Sequence, residues 1–302
     1  MSEKRRKQAR RARAAPVQRD AQGRAHLLIQ RDPLGAPVGV ALSRPLFNQP
    51  WQNDVALGAA NTAHAFLAAG HTLAQAVGLG RSAMAGTSKI ADGLLRGSPD
   101  RAPACRAGCA HCCYQPVGVS APEVFAIYDH LSSTQTAADR QATEQRIRGA
   151  DDRTRGMTAA ERQSPDFPCP FLIDERCSIY EVRPLACRGT NSLDATACAR
   201  TLRDPETHAA FLAGEASVPC FLEPIRAFHA VAAGIQLALD DLHGLQVLPL
   251  ELTAAMRIMV DDPASVPPRW LAGEDPFAAA RGGDNSDNPR IRELSGRRDD
   301  GG

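Results

Sequence analysis

The sequence predicts a mainly α protein: helices around a central, irregular, cysteine-rich module, with a small N-terminal β-hairpin. Three observations lead there. Alanine is abundant and favours helix, and apolar residues recur at helical spacing on both sides of the centre. Seven of the nine cysteines fall in two short stretches between Cys105 and Cys187, among turn-forming residues. Near the N-terminus, the runs HLLIQ and VGVAL flank a Pro/Gly turn, RDPLGAP, in the manner of a hairpin.

The elements follow in order. Residues 1–24 read as a solvated, disordered basic arm, because Lys4, Arg5, Arg6, Lys7, Arg10, Arg11 and Arg13 repel one another. Residues 25–100 form an N-terminal helical region, with the hairpin over Ala25–Leu42. One or two helices cover Asn53–Leu95, broken near Gly78 and Gly80; Val55, Ala59, Ala63, Phe66 and Leu67 keep helical spacing. The stretch RGSPDRAPA marks a boundary. Residues 101–225 hold the cysteine module. Within it, Ser120-Ala-Pro-Glu123 has the form of a capping box opening a helix through Val124, Phe125, Ile127, Tyr128 and Leu131. A polar segment, Thr134–Gln163, contains a surface helix. Pro205–Gly214, Cys220–His243 and Leu250–Asp261 are further helices, with residues 226–272 as a C-terminal helical region. Residues 273–302, rich in Gly, Asp and Arg, read as a disordered tail.

Length and charge narrow the classes. The 302 residues suffice for one large or two modest domains. A net charge of +1 selects no partner by long-range attraction. No apolar run reaches the length of a membrane span; the longest, around Ala227–Leu239, runs into Asp240, Asp241 and His243. The N-terminus lacks the apolar segment of a secretory signal, so the expected location is cytoplasmic. Clustered cysteines in a reducing compartment point to metal or catalysis before disulfides.

The first cysteine stretch is Cys105-Arg-Ala-Gly-Cys109-Ala-His-Cys112-Cys113. The second, CPFLIDERCSIYEVRPLACR, supplies Cys169, Cys177 and Cys187. Thiolate is the form that binds metal, and short spacings let one loop present several sulfurs. Soft sulfur donors select zinc, copper(I) or iron–sulfur clusters over magnesium or calcium. On an ideal helix Cys105 and Cys113 would stand about 12 Å apart along the axis. Four sulfurs around one zinc lie about 4 Å apart. Either Gly108 breaks the segment into a knuckle, or the ligands divide between centres. Seven thiols exceed the four of an ordinary site, which leaves two metal positions or one cluster with spare thiols. Arg106, Arg183 and Arg188 stand beside the cysteines and can offset thiolate charge; Arg183 and Arg188 are read as supporting the donors from behind without ligating.

The combination C-x3-C-x2-C-C, then CPFL, then C-x-IY, then RP-x-x-CR resembles the YkgJ-type cysteine-cluster family over Cys105–Arg188. The resemblance implies a zinc- or iron-chelating, metal-binding module. Relatives that include flagellin lysine methylases carry the cluster beside an enzymatic activity. No methyl-donor site is legible here, so that activity is not carried over.

Cys198, Cys220 and His111 are additional candidate ligands, with packing or polar support as the plainer reading of each. His208, His229 and His243 read as satisfied or exposed side chains. Nucleic-acid binding through the basic N-terminal arm is a further alternative to the two readings below, but the arm has no interleaved aromatics, so nucleic acid is not the expected partner. GxxxxGK[ST], GxGxxG opening a helix, HExxH and GxSxG are all missing from the sequence, so catalysis stays undecided. Two readings stand. One is a metal protein holding an iron–sulfur cluster or zinc through thiolates, with a redox or enzyme-accessory role toward an unknown protein partner. The other is a structural zinc module supporting a helical interaction scaffold.

Overall fold

A computed structural model describes residues 27–33, 37–97 and 102–281. The basic arm of residues 1–24 and residues 282–302 of the expected tail lie outside the described residues. The fold is mainly helical with few, short strands, as the sequence predicts.

The hairpin pairs β1 (Leu27–Arg31) antiparallel to β2 (Pro37–Leu42), Leu27 opposite Leu42 and Ile29 opposite Val40. Leu27 and Val40 reach the core, while Leu28, Ile29 and Val38 stay exposed. Two side chains dock it: Asp241 accepts the Leu27 N–H at 3.0 Å, and Asn61 accepts the Val40 N–H at 3.0 Å.

Helices α1 (Pro50–Leu67) and α2 (Leu73–Arg96) follow. Pro50 opens α1, where its missing N–H costs nothing. The break between the two helices falls at residues 68–72, and not at Gly78 and Gly80. Gly70 takes φ +143°, and Thr72 begins α2 in a capping box with Gln75. Gly78 and Gly80 sit inside α2 for a different reason. A Cβ on Gly80 would stand 2.1 Å from the Pro122 carbonyl oxygen, and one on Gly78 2.8 Å from the Phe66 ring. The glycines permit close packing; they do not end the helix.

A short strand β3 (Gly118–Val119) leads into α3 (Ala121–Thr134), which starts at the predicted capping box. The Ser120 N–H and hydroxyl both donate to Glu123 Oε2 at 2.8 Å. Helices α4 (Ala137–Thr154) and α5 (Ala159–Arg162) cover the polar segment, each capped by a threonine, Thr136 and Thr158. The centre continues through β4 (Leu172–Ile173), β5 (Arg176–Cys177), α6 (Leu185–Gly189), α7 (Ala195–Arg203) and α8 (Pro205–Leu212). Helix α9 (Leu222–Leu237) widens at Ala238–Leu242 into a turn with i→i+5 bonding. Strand β6 (Leu250–Glu251) pairs with β3, and α10 (Leu252–Asp261) and α11 (Val266–Leu271) close the fold.

Helix α9 lies against α1, α2 against α3, and α10 against α3 and α4. A Cβ on Gly234 of α9 would stand 2.0 Å from the Ala56 carbonyl oxygen of α1, so this crossing also needs a bare backbone. The boundary expected at residue 225 falls inside α9. The chain also stays folded past Gly273, where the sequence reading begins the tail. Phe277 is buried 6.0 Å from Phe125, which meets Trp270 edge-on at 5.4 Å. One aromatic anchor holds a stretch whose composition reads as loose. A single hydrophobic cluster runs from Leu27 to Ala280, shared by the N-terminal helices, the cysteine region and the C-terminal helices.

The close crossings predict that Gly80→Ala and Gly234→Ala each lower stability by about 1–3 kcal/mol or more, because the obstructing atoms are backbone. Thermal unfolding of each variant measures this; an unchanged melting temperature would contradict the contact.

Candidate metal centre

The first cysteine stretch is no helix. Gly108 takes φ +84°, the left-handed region that glycine adopts without strain. The Cys109 N–H donates to the Arg106 carbonyl and the Cys113 N–H to the Ala110 carbonyl, both at 2.9 Å. A single 3₁₀ turn covers His111–Tyr114. The segment is therefore a knuckle. The second stretch is as irregular. Asp174 and Glu175, at φ +49° and +59°, turn β4 into β5, which ends at Cys177, and Cys187 sits in the middle of the five-residue α6.

Two hydrogen bonds bring these pieces together. The Cys169 N–H donates to the Cys113 carbonyl at 2.7 Å, joining the first stretch to the second. Glu123 Oε1 accepts the Leu185 N–H at 2.8 Å, while its other oxygen serves Ser120. One buried carboxylate thus fixes the starts of both α3 and α6. Burial raises its pKa, against the bonds from Leu185 and Ser120 and the nearby Arg188, which lower it. Cys105 and Cys112 are exposed, and the other seven cysteines are partly buried.

Burial raises several of the clustered thiols above the ordinary value. Burial pushes Cys169 up to about 12, with the neighbouring Cys177 charge adding to it. Burial also raises Cys187 well above the ordinary thiol value, reinforced by Cys169, Cys112 and Cys177. Cys112 and Cys113 share a hydrogen bond that separates them: Cys112 falls to about 7 and Cys113 rises.

Three arginines have distinct tasks. Arg183 opposes in part the rise that burial gives Cys105, Cys177 and Cys187 and adds to the lowering that the Cys113 hydrogen bond gives Cys112, and its guanidinium lies 4.6 Å over the Tyr180 ring. Arg188 is buried and mainly builds the loop. It donates to the carbonyls of Arg183 at 2.8 Å and Glu181 at 2.6 Å, and to the Ser88 hydroxyl. Arg162, which the sequence reading passed over, is buried beside Cys169 and Glu251 and bonds the Phe167 carbonyl. It lies outside both cysteine stretches, so no local pattern marks it. Arg106 is exposed.

The trailing cysteines join the first stretch. The Ser192 N–H donates to Cys105 Sγ at 3.3 Å, and Ser192 forms a β-bridge with Cys220. Cys198 is hydrogen-bonded to the Ser192 side chain and is raised by burial and by the charges of Cys105, Cys109 and Cys112. His111 keeps a buried Nδ1 with no hydrogen-bond partner. His243 belongs to a separate group. Its Nε2 is 3.3 Å from His64 Nδ1 and its Nδ1 is 3.1 Å from His71 Nε2; burial lowers it to about 4.

The donor chemistry fits zinc or iron: soft sulfurs, an unpartnered imidazole nitrogen and cationic neighbours. The arrangement is not a closed shell. Among the described residues no three Cys, His, Asp or Glu side chains are gathered as a metal ion would hold them. Coordination would replace the proton of each ligating thiol.

Residues 104–207, about a third of the chain, match the CxxCxxCC family, described as "Putative zinc- or iron-chelating domain". The match agrees with the cysteine-cluster family that the sequence resembles. It spans eight of the nine cysteines; Cys220 lies beyond it. The motif in the family's name has two residues between its first cysteines, and here there are three, with Gly108 taking the turn. No curated protein and no solved structure matches. Fold and match together describe a mainly helical protein with a thiol-rich stretch at residues 104–207 that is similar to a domain described as zinc- or iron-chelating. Among the described residues no helix is long and apolar enough to cross a membrane.

Because the raised thiols must lose protons to bind, zinc affinity rises with pH. For every thiol deprotonated on binding, a fall of one pH unit weakens affinity about tenfold. Competition with a chromophoric chelator across neutral pH checks this, and a flat profile would show that thiols are not the donors.

Proposed function

We propose that the protein holds iron, as an iron–sulfur centre, through thiolates drawn from Cys105, Cys109, Cys112, Cys113, Cys169, Cys177 and Cys187. The single observation behind this reading is the bond from Cys169 to Cys113, which sets the two stretches side by side. Seven grouped thiols are ample for the four that a 2Fe–2S or 4Fe–4S cluster takes. Arg183 supports it as a cation placed to offset negative charge on the sulfurs, and buried surroundings would tune a redox potential. Donors of this kind suit electron transfer or an accessory role beside an enzyme and its partner protein.

A second reading, a structural zinc module, is favoured by the shortness of the elements between Cys169 and Cys187. Two-residue strands and single helical turns hold little stability of their own. Metal bridging would then contribute directly to folding.

Anaerobic purification with elemental analysis and visible spectroscopy separates the two. The iron–sulfur reading expects a brown protein with iron and acid-labile sulfide. A colourless protein with stoichiometric zinc that unfolds on chelation would overturn it in favour of the structural module.

A further inference from the structure

Three histidines from distant parts of the chain stand in a line where its two ends meet. His64 lies in the last turn of α1, His71 in the connection to α2, and His243 directly after the widened turn Ala238–Leu242. His243 Nε2 faces His64 Nδ1 at 3.3 Å, and His243 Nδ1 faces His71 Nε2 at 3.1 Å. His243 turns a different nitrogen to each neighbour, so the rings form a chain and do not converge on one point. At these separations no water fits between the facing nitrogens. His64 and His243 are half-buried, and His71 is exposed.

The chain has a fixed capacity for protons. Each contact needs one N–H and one lone pair. Three neutral rings satisfy both contacts when their N–H groups point the same way along the line. One added proton also fits. On His243 it donates in both directions; on an end ring it donates inward and the other two tautomers follow. A second added proton does not fit. Whichever two rings are charged, one contact then holds two N–H groups face to face. Burial opposes charge at the centre as well and lowers His243 to about 4, with His71 and His64 adding to this.

Other charge on the surrounding elements is sparse. The widened turn packs against α1, α9 and β1. It carries Asp240 and Asp241, and Asp241 accepts the Leu27 N–H of the hairpin. Besides His64, α1 bears only Asp54, near its other end, and α9 has no titratable residue after His229. Strand β1 ends at Arg31, with Asp32 following. Gly273, past α11, approaches the Gly244 carbonyl, and the charges there are paired, Arg269 with Glu274 and Arg281 with Asp275. Past His71, the first charge of α2 is Arg81, paired with Asp129. The Gly244 N–H donates to the Asp240 carbonyl at 3.1 Å and the Leu245 N–H to the Leu239 carbonyl at 2.9 Å. His243 is thus built into the bonds that close the turn holding Asp241.

We infer that His64, His71 and His243 form an acid-sensitive latch. At neutral pH the imidazole chain clasps the widened turn to the α1–α2 connection and keeps Asp241 on the hairpin. With the second added proton the chain parts, the turn shifts, and the hairpin loses this anchor. The latch works whether or not the cysteines hold metal. Its sign follows from proton counting. Rings released into water take protons near pH 6.5, at about the ordinary histidine value. The closed state binds fewer protons than the open one, so closure is complete above that value and weakens as pH falls below it. The decline levels off near about 4, where His243 is charged even in the closed state. Within that window the closed-to-open ratio falls about tenfold per pH unit for each excess proton of the open state.

Hydrogen–deuterium exchange of the full-length protein, read by mass spectrometry and corrected for intrinsic exchange rates, tests the latch. Between about pH 7 and about pH 5.5, protection over residues 27–42 and 238–245 is expected to fall about tenfold or more, while α3 and α10 keep theirs. His243→Gln supplies a neutral amide at the centre and should abolish the fall. His71→Gln, at the exposed end, should make it shallower, and it decides the matter if the central variant does not fold. Wild-type protection that is equal at both pH values overturns the latch. So does an undiminished fall in the variants, or a fall that extends equally over α3 and α10.

Discussion

The cysteine region depends on one backbone hydrogen bond, from the Cys169 N–H to the Cys113 carbonyl. It ties the knuckle directly to the stretch that opens at Cys169. Glu123 supports the bond from the side, its carboxylate fixing Ser120 on one oxygen and Leu185 on the other. A buried carboxylate is expensive to desolvate and persists only when its oxygens are occupied. Here the donors are the first turns of the two helices that frame the thiols, so the electrostatic cost is offset by the bonds that align them.

Much of the fold was legible because it is written in local chemistry. The hairpin is signalled by two apolar runs around a Pro/Gly turn. Helix α3 is signalled by Ser120, Pro122 and Glu123. Where the reading failed, the cause was tertiary. Gly80 looks like a helix breaker only until Pro122 is seen against it, and the tail looks disordered only until Phe277 is seen beside Phe125. Neither partner lies close in sequence.

The site divides in the same way. Cysteine spacing marks the candidate donors, and Gly108 marks the knuckle. The place of Arg162 beside Cys169, the role of Ser192 and the pairing of His243 with His64 and His71 all come from convergence of distant segments. The raised thiols also carry physical information that no motif contains. The polypeptide keeps several sulfurs in surroundings that favour the proton, so any metal must compete with that proton and recover the difference through coordination.

The contact between the hairpin and Asp241 has a consequence for how the molecule is made. The Leu27 N–H and the Asp241 carboxylate are 214 positions apart in the chain. Chains emerge from the ribosome at roughly 5–20 residues per second. The hairpin is therefore synthesised well before its anchor, and a two-stranded ribbon alone is marginal in water. Its contact with Asn61 of α1 is available early, but the Asp241 bond cannot form until the widened turn after α9 has been made. Completion of this fold is a late, long-range closure that joins the beginning of the described chain to a helix near its end.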